Sequence, residues 1–177
     1  MNKGKSLLAK IEQMIEKWLK AIPHLPKSGQ RWLAENVWWI ALIGAILSGI
    51  SVLVLLNTIR ELTSPVSFYG YVLTSTFTGW EIFISIVSAV FVIVTGLLLA
   101  LAVKPLRAIE KKGWTLLFIV SLVEAVNVVL GAVLSLSVFG FITQVIFGAI
   151  GFAIGIYFLF EIRGHFAHIV VPAKPKK

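Results

Sequence analysis

The sequence predicts an all-α membrane protein: a four-transmembrane-helix bundle preceded by an interfacial amphipathic helix, with both termini cytoplasmic. Three observations carry this. The 177 residues are 58% hydrophobic and 14% charged, with a mean hydropathy of +0.95, more apolar surface than one soluble core of this size requires. Four apolar runs reach the roughly 20 residues needed to cross a hydrocarbon core. The basic residues fall almost entirely on one side of those runs.

The N-terminal region, 1–35, comes first. Leu7, Leu8, Ile11, Met14, Ile15, Trp18, Leu19 and Ile22 recur at the spacing of one helix face, with Lys5, Lys10, Glu12, Gln13, Glu16, Lys17 and Lys20 on the other. The pattern predicts an amphipathic helix over 6–22, capped by Ser6 and stopped by Pro23. Lysines beside an apolar face that includes Trp18 suit a helix lying in the bilayer interface, with docking on a partner helix as the alternative. Pro23, Pro26, Ser28 and Gly29 are expected to form a turn, and Trp32, Trp38 and Trp39 an inner aromatic belt. The segment is too long and too amphipathic for the start of a signal peptide, so no cleavage is expected.

The transmembrane domain, 36–162, holds spans over about 37–57, 81–103, 114–136 and 138–160. Backbone groups in lipid must be satisfied internally, and continuous apolar runs exclude the alternating strands of a barrel. Seven Lys or Arg residues precede the first span, Lys104, Arg107, Lys111 and Lys112 lie between the second and third, and four more follow the fourth, in the basic tail 163–177. The opposite side holds only Arg60. The positive-inside rule therefore places both termini in the cytoplasm, which an even number of spans also requires. The expected location is the cell (inner) membrane, multi-pass. Lys104, Arg107, Lys111 and Lys112 are expected to meet anionic lipid headgroups.

Between the first two spans, residues 58–80 carry Phe68, Tyr69, Tyr71, Phe77 and Trp80 among small polar residues, which suits an outer aromatic anchor. From Val170 onward, two prolines and three lysines predict a disordered tail.

Small and polar residues mark the faces that meet inside the bundle, because lipid offers no hydrophobic drive between helices. They are Ala41, Gly44, Ser48 and Ser51; Ser85, Ser88 and Thr95; Ser121, Glu124, Asn127, Gly131 and Ser135; and Gln144, Gly148, Gly151 and Gly155. Gly148, Gly151 and Gly155 are expected to pack helices within the chain, with Gly151 and Gly155 also able to form a homo-oligomer interface.

Glu124 lies about ten residues, or about 15 Å, into the third span. A carboxyl there costs several kcal/mol unless paired, neutralised or hydrated, and the spans contain no Lys, Arg or His. Rise per residue places Asn127 and Gln144 near the same depth, so Glu124, Asn127 and Gln144 are expected to form a polar cluster. This is either a clasp fixing helix register or a protonation site coupled to transport. One embedded glutamate among four spans resembles the small multidrug-resistance transporters in outline. Their glutamate lies in the first span of a shorter chain without the amphipathic helix, so no residue carries over.

Glu161, His165 and His168 follow at spacings of four and three, a set able to hold a divalent metal if the last helix continues. No cysteine is present and no phosphate loop, metalloprotease or hydrolase motif occurs. No enzyme activity, cofactor or nucleic-acid binding is expected. The expected role is a non-enzymatic scaffold or accessory subunit that self-associates or joins a larger membrane complex, with membrane lipids as partners. The alternative is a small transporter or channel using Glu124.

Overall fold

A computed structural model describes residues 3–63, 66–68, 71–73, 79–135 and 137–166. The regular structure among the described residues is helical apart from one short hairpin, and four of the helices are long and apolar enough to cross a membrane. In order the elements are α1 (Lys3–Leu19), α2 (Lys27–Thr63), β1 (Val66–Phe68), β2 (Tyr71–Leu73), α3 (Gly79–Arg107), α4 (Lys111–Leu134), α5 (Val138–Glu161) and α6 (Arg163–Phe166).

Each long helix packs on the next in sequence: α2 on α3, α3 on α4, α4 on α5. Small residues permit the approach. A Cβ on Gly96 would stand 2.8 Å from Ser48 Cβ, one on Gly44 3.0 Å from Leu99, and one on Gly148 would collide with Val128. The best-buried core lies at the end of the bundle shared by α1 and α6. There Ala34, Val37 and Ala41 of α2 meet Ala102 and Leu106 of α3, Trp114 and Phe118 of α4, Ile156 and Leu159 of α5, and Phe166. Much of the remaining span surface is exposed Leu, Ile, Val and Phe, the surface that lipid covers.

Several element boundaries differ from expectation. Helix α1 runs from Lys3 to Leu19, so Ser6 lies within it and does not cap it, and it ends short of Ile22; α2 begins at Lys27, so Ser28 and Gly29 belong to its first turn. The Pro26 carbonyl already accepts from Gln30 N–H at 3.0 Å, because proline suits the start of a helix, where no N–H donor is needed. Helix α2 then runs on to Thr63, and β1 and β2 pair antiparallel with Val66 opposite Leu73 and Phe68 opposite Tyr71. The aromatic side chains expected to anchor this segment lie outside the described residues, Trp80 excepted, whose ring stacks on Phe83 at 5.6 Å. Residues 167–177, including the expected tail and His168, also lie outside them.

The turn from α3 to α4 is tight. Pro105 lies within the last turns of α3, and Glu110 N–H donates to the Pro105 carbonyl at 2.9 Å. Ile109 adopts φ 53°, the left-handed conformation that helix ends favour and that a β-branched residue resists. Gly113 then packs directly against the backbone of Leu106.

Candidate functional site

The polar centre of the molecule is Glu161, at the last turn of α5. Its side chain is 4% exposed, and a carboxylate at a helix C-terminus gains nothing from the helix dipole, so its stability must come from donors. The segment between α1 and α2 supplies them. Pro23 and Pro26 keep the intervening residues out of helix, which leaves the Leu25 N–H free to donate to Glu161 Oε2 at 2.8 Å. Gln30 Nε2 donates to the same oxygen at 2.9 Å and to the Leu25 carbonyl at 3.1 Å. His24 Nδ1 lies 2.6 Å from Oε1. One turn back along α5, the Tyr157 hydroxyl donates to the Pro23 carbonyl at 2.8 Å. The linker is thus tied to the end of α5 by side chains on both sides.

Arg163 completes the connection to α1. Its guanidinium pairs with Glu12 at 2.5 Å and Glu16 at 2.7 Å, one turn apart on α1, and lies over the rings of Trp114 and Phe160. Trp114 is buried and donates its indole N–H to the Leu159 carbonyl at 2.8 Å. Leu8, Ile11, Ile15 and Leu19 of α1 pack against the core, while Leu7, Met14 and Trp18 remain exposed. One row of α1's apolar residues therefore meets the protein and another faces outward.

Between α1, the start of α4 and the end of α5 lies a cavity of about 490 Å³, reached by Lys20, Lys111, Trp114 and Arg163. A second cavity of about 420 Å³ opens between α2 and α5, walled by Leu33, Val37, Gly155, Phe158 and Leu159 and almost wholly apolar.

The predicted cluster in the membrane forms in part. Thr95 Oγ1 of α3 donates to Glu124 Oε1 at 2.7 Å, and Asn127 Nδ2 stands 3.5 Å from Oε2. Gln144 is elsewhere: it lies against Gly131, two turns from Glu124 toward the α4–α5 hairpin. The hairpin turns near Ser135–Ser137, so residues pair roughly by equal distance from that turn. Gly148 opposite Val128 shows this register, and it puts Gln144 too near the turn to reach Glu124.

Of the three glycines expected to pack helices, Gly148 does. Gly151 and Gly155 do not, with nothing within 4 Å of where a Cβ would stand. The inward row of α5 runs through Gly148, Phe152 and Ile156, so Gly151 and Gly155 lie beside it on an exposed row, Gly155 at the wall of the α2–α5 cavity.

Of the expected set Glu161, His165 and His168, His168 lies outside the described residues, and Glu161 and His165 belong to no group of three or more metal-ligating side chains among those described. The Glu161 carboxylate meets His24, and α5 ends there, with Ile162 as its C-cap before α6. Of the predicted headgroup residues, Arg107 lies over the Trp38 ring at 5.1 Å, Lys111 lines the larger cavity, and Lys104 and Lys112 are exposed.

No signal in the sequence pairs His24 or Gln30 with Glu161, since the partners are more than 130 residues apart. Compared with known proteins, the chain matches no family profile, no curated sequence and no solved structure.

Proposed function

We propose that the chain is a non-enzymatic scaffold or accessory subunit of the cell membrane, with both termini cytoplasmic, that self-associates or joins a larger membrane complex through the exposed flank of α5. The observation that supports this is the pair Gly151 and Gly155, one turn apart, with no described residue within 4 Å of where a Cβ on either would stand. A glycine inside a helix costs about 1 kcal/mol relative to alanine. In a membrane that sacrifice is repaired when a second helix approaches closely along the bare strip. Among the described residues α5 packs most closely on α4 and faces α2 across the apolar cleft, which leaves Gly151 open to a helix from another molecule. The basic residues of α1 and of the α3–α4 turn face the cytoplasmic leaflet, where Leu7, Met14 and Trp18 rest on lipid.

The chain has no cysteine, which makes a direct test clean. Gly151→Cys in intact membranes is expected to give a disulfide-linked dimer on mild oxidation, and Gly151→Leu with Gly155→Leu to shift the protein to monomer in nanodiscs. A strict monomer in native mass spectrometry, with no crosslink and no co-purifying partner, rules the proposal out.

A further inference from the structure

The first and last spans do not close on each other. Consecutive helices pack closely, but α2 and α5 barely touch among the described residues, and the gap between them is the apolar cavity of about 420 Å³. Every span contributes to its wall: Val37 and Gly44 of α2 and Gly155 and Phe158 of α5 are joined there by Leu99 of α3 and Leu117 of α4. Part of the space is a missing side chain, since nothing lies within 4 Å of where a Cβ on Gly155 would stand.

Polarity, length and width together limit what can fill it. Among the described residues that line the cleft the one polar side chain is Ser121, whose hydroxyl donates to the Leu117 carbonyl of its own helix at 3.1 Å. A water needs two or more polar partners to stay in a cavity, so neither water nor a hydrogen-bonding ligand has a hold here. Along α2 the lining runs from Leu33 to Gly44, about 16 Å at 1.5 Å per residue, which is one leaflet's share of a hydrocarbon core roughly 30 Å thick. One end lies at Ile162, beside Glu161, the last residue of the α5 span, so the cleft starts at the membrane's rim and reaches toward its middle. Spread over that length, 420 Å³ makes a slot about 5–6 Å across, too narrow for a helix of 10–12 Å. A cavity of about 150 Å³ takes one benzene, and in proportion this slot takes about 16 carbons.

We infer that the α2–α5 cleft binds one acyl chain of about 16 carbons from a membrane lipid, in the leaflet on the α1 side and without regard to head group. In a bilayer no hydrophobic drive puts a chain there. Contact holds it: a chain in the slot gives the wall atoms neighbours where a void would give none, and dispersion is lost across a gap. No second copy is required, and Gly151, on which self-association rests, lines no part of the cleft.

The test places the full chain in nanodiscs of phosphatidylcholine doped with a palmitoyl lipid that carries a photoreactive group at mid-chain, and maps the labelled peptides by mass spectrometry. Labelling is expected at 37–44 and 155–159, about ten-fold above that at Val126, Val129 and Val133, which are exposed on α4. Gly155→Phe fills the cleft from α5 and Ser121→Leu from α4, and each is expected to bring labelling at 37–44 down to the level of exposed α4. Gly151→Phe, off the cleft, is expected to leave it intact. Phosphatidylglycerol with the same chains should label alike, and dipalmitoyl lipid should compete with the probe better than didecanoyl lipid, which leaves a void behind it. Even labelling of 37–44 and of Val126, Val129 and Val133 overturns the acyl-chain site, as ordinary boundary lipid. So does labelling that Gly155→Phe and Ser121→Leu both leave unchanged, or that Gly151→Phe removes as fully, or a preference of about ten-fold between the two head groups. If the cleft labels only once Gly151→Phe has made the protein monomeric, a second copy fills it, and the acyl-chain site fails while self-association stands.

Discussion

His24 Nδ1 lies 2.6 Å from Glu161 Oε1, joining residues 137 positions apart and closing the linker before the first span onto the end of the last. The two partners are unequal: the His24 side chain is 58% exposed and that of Glu161 4%. The buried member therefore carries the energetic consequence. Glu161→Ala leaves the Leu25 N–H and the Gln30 amide without their acceptor, a loss of about 1–3 kcal/mol for buried donors. His24→Ala removes a largely hydrated contact, for which less than about 1 kcal/mol is expected. Unfolding in mixed micelles should order the variants Glu161→Ala, Glu161→Gln, His24→Ala from most to least destabilised. An equal effect of His24→Ala and Glu161→Ala would show that the linker does not depend on the buried carboxylate.

Arg163 holds α1 through two glutamates one turn apart, so its removal should free the helix without unfolding the spans. These pairs are partly exposed, and each is expected to contribute roughly 0.2–1 kcal/mol. Arg163→Met keeps apolar contact with Trp114 and Phe160 but ends both ion pairs. Amide hydrogen exchange across α1 should then accelerate, while exchange in α4 and α5 stays as in the parent. Unchanged exchange in α1 would assign its docking to Leu8, Ile11, Ile15 and Leu19 alone.

The four spans were legible because lipid imposes a length and a composition on a segment regardless of its neighbours. Their contacts were only partly so. Gly44, Ser48, Thr95 and Gly148 lie where their size suggested, since a small residue allows approach whichever helix arrives. Gly151 and Gly155 share that chemistry yet meet no described neighbour, Gly155 opening on the α2–α5 cavity, because which row of α5 is covered depends on α4's register and not on the glycines. Gln144 shows the same limit: a depth error of two turns separates it from Glu124. The hairpin of β1 and β2 did leave a trace, in two β-prone triplets, Val66-Ser67-Phe68 and Tyr71-Val72-Leu73, flanking Tyr69-Gly70. The tie of Glu161 to His24, Leu25 and Gln30 left none, because it depends on the bundle bringing the chain's two ends together.

The α3–α4 turn sets two opposed glycine effects within five residues. At Gly113 a Cβ would stand 2.6 Å from Leu106 N, a backbone atom that cannot swing aside. Gly113→Ala should therefore destabilise by about 1–3 kcal/mol as the helices part. Ile109 has the reverse problem, a branched side chain at φ 53°, and Ile109→Gly should stabilise by about 1 kcal/mol. Gly151→Ala, which meets open space, should be neutral or slightly stabilising in monomeric protein. Thermal unfolding of the three variants in one detergent checks all of these signs together.

Glu124 decides between a clasp and a proton site, and its geometry makes the clasp measurable. The Thr95 hydroxyl bonds it across α3 and α4 at 2.7 Å, and interhelical polar bonds in membranes contribute about 0.6–2 kcal/mol. A double-mutant cycle of Thr95→Val with Glu124→Leu should recover a coupling in that range, whereas Gln144→Leu with Glu124→Leu should give none, since Gln144 sits against Gly131. Glu124→Gln keeps an acceptor for Thr95 and should hold most of the stability. A clasp also leaves passive proton flux in proteoliposomes the same for parent and Glu124→Gln. Flux present in the parent and lost in Glu124→Gln, with stability retained, would move this carboxyl from helix register to transport.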